Sequence, residues 1–298
     1  DMHLRGIIRI VTSFLLFAVS LATAGEKLVV YTVNYPLQYF AQRIAGEQAE
    51  VIMPVPPTID PAFWQPDVAA IAGFQQADII LLNGAGYAKW VSRVSLPHRK
   101  LVDTSAGFRD RYIHTAGDVT HSHGREGDHS HAGTAFTTWL DLTLAVEQAR
   151  AVAGALSRQR PDSNEVFARR LAVLEQDLLD LDKRIQAIVA SDPGRPLLAS
   201  HPVYQYFKRR YGLNLESVMW EADALPDETQ WSELARLLKG HPVVSMIWEG
   251  RPNPESVARL RSMDIDSIEF DPCGNRPAAG DFLSVMEQNV RYLERGFQ

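Results

Sequence analysis

Beyond residue 26 the apolar positions fall into short runs that alternate with helical stripes. "KLVVYTVNYP" reads as a buried strand closed by Pro36, and "LQYFAQRIAG" as a helix that stops at Gly46. "EVIMPV" and "DIILLN" are two further apolar runs, with the helical pattern "PDVAAIAGFQQA" between them. Strand and helix in strict alternation predict a parallel sheet covered on both faces.

Between Asn164 and Ala190 the residues Phe167, Leu171, Leu174, Leu178, Leu181, Ile185 and Ile188 recur at alternating steps of four and three. This is one amphipathic helix, roughly 40 Å long at ~1.5 Å per residue, entered through Pro161 and Asp162 and ended before Pro193 and Gly194. The same spacing suits half of a coiled coil, but a lone helix of this length in a globular chain fits better as a stiff connector. Alternation then resumes. "PLLAS", "LNLESVMW", "PVVSMIWE" and "IDSIEFD" read as strands, and "VYQYFKRRYG", "ETQWSELARLLKG" and "NPESVARLRSM" as helices. The expected architecture is α/β: a lobe over 25–160 with a His-rich loop at 114–133, a connecting helix over 161–192, and a second lobe over 193–298. Each lobe should carry a mainly parallel sheet flanked by helices, with a cleft between them. No repeat of solenoid period is present.

The first residues change the picture of where the chain works. Arg5 and Arg9 precede an apolar run from Ile10 to Leu21, and Ala22, Thr23 and Ala24 form a small-x-small cleavage pattern. The run is shorter than the ~20 residues of a spanning helix. We therefore expect residues 1–24 to be a cleaved secretory signal and the mature protein to reside in the periplasm. At 298 residues and 46% hydrophobic, the chain can bury a sizeable core without disulfides, and its single Cys273 has no internal partner. The formal charge is −6, and loss of Asp1, Arg5 and Arg9 with the signal makes it −7. A mildly acidic chain with no basic cluster is a poor partner for nucleic acid or anionic membrane.

Ligands of open α/β sheets bind beyond the carboxyl ends of the strands. Three strands of the second lobe end in suitable polar residues: Ser200-His201, Glu249 and Asp271. Imidazole and carboxylate together suit a divalent transition metal. Each has an ordinary explanation alone, since Asp before Pro is a common turn starter. A second signal is "HSHGREGDHSHAG", which packs His121, His123, His129 and His131 into eleven residues. A His-rich tract in a segment with no core-forming residues is a compositional metal-binding signal. Its spacing matches no fixed zinc motif, so a closed site and a separate capturing loop both remain open. Glu126 and Asp128 are candidate outer partners of such a metal.

Taken together, "VVYTVNYPLQYFAQRIAG", the flanks of "DPAFWQPD", "ADIILLNGAGYAKW", "TWLD", "SHPVYQYFKRRYGL" and "FDPCG" make the chain resemble the ZnuA-like periplasmic solute-binding proteins of metal-ion ABC importers, the zinc and manganese group. The resemblance covers nearly the whole mature chain. It implies two α/β lobes bridged by a rigid helix, with a metal held between them by three His and one carboxylate, two ligands from each lobe. Carried over by position, the second-lobe ligands are His201 and Asp271. The first-lobe pair is missing, because Ala62 and Thr137 stand where His is implied. Two protein ligands leave Zn²⁺ short of its usual four. The His cluster lies just before Thr137, and Ala132 to Phe136 span well over ~10 Å at ~3.3 Å each, enough to fold a loop imidazole back into the cleft. The expected shell is therefore two imidazoles from His121, His123, His129 and His131 together with His201 and Asp271.

The function this implies is capture of a divalent ion, Zn²⁺ first, with Mn²⁺, Fe²⁺ or Ni²⁺ as alternatives, by a monomer that delivers it to an ABC permease in the inner membrane. The aromatic residues Phe63 and Trp64, and Trp220 next to Glu221, read mostly as packing but also raise a metal chelate as an alternative cargo, and a periplasmic metal chaperone or an adhesin-like surface protein would share the fold. A metallohydrolase would need an open coordination position and a base such as Glu249. The chain has no H-E-x-x-H and no nucleophile elbow. We expect no enzyme.

Overall fold

The computed structural model describes residues 26–115, 120–122, 128–130 and 133–298. The signal-like segment 1–24 and the loop residues His123 and His131 lie outside them. Among the described residues no helix is long and apolar enough to cross a membrane.

The first sheet contains β1 (Leu28–Thr32), β2 (Ala49–Ile52), β3 (Ile79–Leu82) and β4 (Leu101–Asp103), in the order β2-β1-β3-β4. All its pairs are parallel, with Val30 of the central strand opposite Val51 on one side and Ile79 on the other. Helix α1 (Tyr35–Ala45) crosses from β1 to β2, and α2 (Val68–Gln76) from β2 to β3. Pro36, read as the stop of the first strand, instead sits in the first turn of α1, where a missing N–H costs nothing. Asn34 caps that turn by accepting from the amide of Leu37.

Two short antiparallel pairs follow: β5 (His114–Thr115) with β8 (Gly133–Thr134), and β6 (Thr120–Ser122) with β7 (Asp128–Ser130). The second is a hairpin that sets His121 opposite His129 in register. Helix α3 (Leu142–Gln159) then leads through Pro161 into α4 (Asn164–Ser191).

Helix α4 follows the predicted stripe. Phe167, Leu174, Leu178, Leu181, Ile185 and Ile188 are buried, and Leu171 is half-buried. It is not a free strut, because α3 runs along it and α1 packs beside it. The second sheet holds β9 (Pro196–Ala199), β10 (Asn214–Ser217), β11 (Ser245–Trp248) and β12 (Asp266–Glu269), all parallel in the order β10-β9-β11-β12. Its helices are α5 (Gln205–Tyr211), α6 (Glu228–Gly240), α7 (Pro254–Arg261) and α8 (Phe282–Gly296). The ranges of α6 and the predicted "ETQWSELARLLKG" coincide.

Strand β4, helices α3 and α8, and the short strands β5 to β8 within the expected His-rich loop were not predicted. Strand β4 is three half-buried residues with no alternation. Helix α3 buries Leu142, Leu144, Val146, Val152 and Leu156 along with Ala145, Ala149, Ala153 and Ala155, so its burial covers a broad face rather than a narrow stripe. Helix α8 does carry a stripe, Phe282, Met286, Val290 and Leu293, capped by Asp281, which the sequence reading passed over.

One hydrophobic cluster is continuous from the first sheet through α1, α3, α4 and α8 to one face of the second sheet, at Leu197, Ala199 and Ile247. The opposite face, with Leu198, Met246 and Trp248, packs under Trp220, Trp231 and Leu234. A buried charge fixes the second lobe to α4. Asp182, 3% exposed, accepts from Arg210 (Nε 2.9 Å, Nη2 2.6 Å), from the Tyr211 hydroxyl at 2.9 Å and from Gln186. Burial, then the neighbouring Asp182, holds the Tyr211 phenol far above its ordinary pKa, so it stays a donor.

Because Leu178 is fully buried in the shared cluster, Leu178→Ala should cost about 2–5 kcal/mol in urea unfolding, whereas Val173→Ala on the same helix, 57% exposed, should change stability by less than about 0.5 kcal/mol.

Candidate metal centre

The carboxyl ends of both sheets point to one place. From the first lobe, Asp60, Pro61 and Phe63 follow β2, Tyr87 follows β3, and Phe136, Thr137 and Trp139 precede α3. From the second, His201 and Val203 follow β9, Glu249 follows β11, and Asp271, Pro272, Gly274 and Asn275 follow β12. These residues enclose a cavity of about 180 Å³. No Lys or Arg is among them. Phe63 and Phe136 meet edge to face at 6.1 Å, and Tyr87 meets both Phe136 and Trp139 in the same way.

The lobes are tied across this cavity by backbone carbonyls. Trp139 Nε1 donates to Pro272 O at 2.7 Å, and the Tyr35 amide to Gly274 O at 2.9 Å. Asn275 Nδ2 donates to Pro56 O at 2.8 Å and Ile59 O at 2.7 Å. Arg276 donates to Met53 O and Val55 O. Thr137 uses its hydroxyl for the same purpose, donating to Val203 O.

His201 is 2% exposed. Its Nδ1 lies 3.6 Å from a carboxylate oxygen of Glu221, the residue four places beyond β10. Glu249, next after β11, completes a group in which donor atoms of His201, Glu221 and Glu249 all lie within 4.8 Å of one another. Each member comes from the end of a different strand, so the parallel order β10-β9-β11 places them side by side. Among the described residues this is the group of His, Cys, Asp or Glu side chains that is close enough to share an ion.

Asp271 lines the same cavity outside that group. Its carboxylate accepts from the Cys273 amide at 2.7 Å, and Asn289 clamps its backbone from both sides. Burial raises its pKa, the Cys273 amide opposes this, and Glu269 adds to the rise. Tyr204, wholly buried, has its phenol pushed well above the ordinary value by burial and then by Glu249, Asp271 and Glu269. The field here is that of clustered carboxylates, which favours a cation.

The two second-lobe residues named from the sequence, His201 and Asp271, thus border one cavity. For His121 and His129 only the backbone is described, and His123 and His131 lie outside the described residues. In the sequence Glu221 was named only beside Trp220 and not as a ligand, although it follows a strand just as His201, Glu249 and Asp271 do. Trp64 and Trp220 take the packing role and not that of a chelate platform. Trp64 packs against Trp90 at 6.0 Å, and Trp220 against Trp231 at 4.6 Å, so both belong to cores and neither walls the cavity. Cys273 is buried, and its thiol is held well above its ordinary pKa by burial and then by Asp271.

The family model described as zinc-uptake complex component A, periplasmic, matches residues 30–296. The zinc-binding lipoprotein AdcA of Streptococcus pneumoniae is 24% identical over 91% of this chain, which spans only 56% of that protein. The high-affinity zinc uptake system protein ZnuA of Bacillus subtilis is 26% identical over 91% of the chain and 88% of its own length. In shape, the Zn(II)-bound ZnuA-like domain of S. pneumoniae AdcA superposes with a TM-score of 0.76 at 20% identity, covering 91% of this chain and 99% of the domain.

Asn275→Ala leaves two inward carbonyls without their donor, at roughly 1–3 kcal/mol. Amides of residues 53–63 should then exchange with deuterium roughly five- to 150-fold faster, with the strands of the second sheet unchanged.

Proposed function

The chain belongs to the family of periplasmic A components of zinc-uptake complexes, and on that premise we propose that it is a solute-binding protein that captures Zn²⁺ between its lobes and delivers it to an ABC permease. The family is one of binding proteins, in keeping with the expectation of no enzyme. Its members work outside the cytoplasm. For this chain we add a cleaved leader over 1–24, a periplasmic location and a monomeric state.

The observation that carries the reading is the cavity at the carboxyl ends of both sheets, with His201, Glu249 and Asp271 in its wall and no cationic side chain. At about 180 Å³ it is smaller than the ~300–1,000 Å³ of ordinary organic-ligand sites. That favours an ion with its last waters over a chelate. Zn²⁺ accepts imidazole nitrogen and carboxylate oxygen equally well, and enclosure by two lobes replaces the water it must shed. Docking on the permease would release it by parting the lobes.

Calorimetry on the mature chain should find one tight Zn²⁺ per molecule, and His201→Ala should weaken it by at least about tenfold, or about 1.4 kcal/mol. A chain that binds no Zn²⁺ tightly, or one whose tight site is indifferent to His201→Ala, would overturn the assignment.

A further inference from the structure

We propose that the primary ligands of the ion are His201, Glu221 and Glu249, a site built entirely by the second lobe. The inference rests on the zinc-binding reading above and deepens it. Neither glutamate stands at a position for which the family resemblance implies a ligand, and this shell differs from the expected one, in which two loop imidazoles join His201 and Asp271.

Geometry supports the assignment. Donors around a tetrahedral Zn²⁺ with bonds of about 2.0–2.2 Å stand about 3.4 Å apart. The His201 to Glu221 distance is 3.6 Å, and the whole group fits within 4.8 Å. Small side-chain rotations therefore suffice to close it on an ion. The backbone around it is already fixed. The Ser200 amide donates to Ile247 O, the Trp220 amide to Ser200 O, and the Phe270 amide to Trp248 O, which lock the loops beyond β9, β10 and β11 together.

Charge supports it as well. Two carboxylates and a neutral imidazole carry a formal charge of −2, which a dication balances. Glu221, with its side chain 27% exposed, leaves a route from solvent. A fourth position stays open for water or a donor from the facing lobe, where Asp60 lines the cavity.

A one-lobe site explains how the chain can dispense with the two first-lobe His. Thr137, at one of those positions, ties the lobes together through Val203 O and needs no metal to do so. The second lobe would load first, and closure would follow on a site already charged. Its ligand set, richer in carboxylate than a three-His shell, also suits Mn²⁺ and Fe²⁺ better than such a shell would.

The test is Zn²⁺ affinity, by chelator competition, of the mature chain, Glu221→Gln, Glu249→Gln and a variant lacking residues 121–131, each checked for folding by thermal melting without metal. Each Gln variant should lose at least tenfold in affinity at unchanged apo stability, and the loop variant should keep the tight site. If the loop variant loses that site while either Gln variant retains it, the one-lobe shell is wrong and zinc capture stands. If the unaltered chain holds no tight Zn²⁺, the functional reading itself fails.

Discussion

The arrangement of the molecule depends on the buried stripe of α4. Phe167, Leu174, Leu178, Leu181, Ile185 and Ile188 lie in one apolar cluster shared with α1, α3, α8 and a face of the second sheet. With 28 residues the helix reaches from one lobe into the other, and burial along this length resists bending between them. The two sheets are thereby held with their carboxyl ends facing. Asp182 adds direction to this adhesion, because a buried carboxylate with four donors tolerates only one placement of α5.

Facing strand ends decide where chemistry can occur. Loops beyond parallel strands carry polar residues and free backbone groups, and here those of both lobes meet over one small cavity. Its walls combine aromatic edges, which exclude water, with carboxylates and one imidazole, which welcome a cation. Across it the lobes are joined by donors from Trp139, Asn275, Arg276 and Thr137 to main-chain carbonyls. Such bonds are individually modest, so they suit a contact that can open and close.

The chain belongs to the zinc-uptake family, and its residues depart from the ligand pattern that the resemblance implies. Where the resemblance implies two first-lobe imidazoles, the chain has Ala62, which is buried, and Thr137, which bridges the lobes. Compensation by neighbouring strand ends within one sheet costs the fold little. The strands already lie side by side, and the carboxylates that follow β10 and β11 reach the imidazole that follows β9. Compensation by a His-rich loop would instead require ordering a long connection around the ion.

Much of this was legible in the sequence. Alternating strand and helix patterns identified two α/β lobes, the stripe of α4 gave its boundaries within a few residues, and polar residues at strand ends singled out His201, Glu249 and Asp271. Local patterning suffices there because period and turn chemistry are properties of neighbouring residues. It missed α3, whose buried positions spread over a broad face, and β4, which is too short to show a period. Only the tertiary structure decided that Trp64 and Trp220 face cores while Phe63 and Trp139 face the cavity, and that Glu221 approaches His201. Those outcomes depend on tertiary packing and, for Glu221, on the strand order β10-β9-β11-β12, which brings together residues far apart in the chain and leaves no mark on the sequence around any one of them.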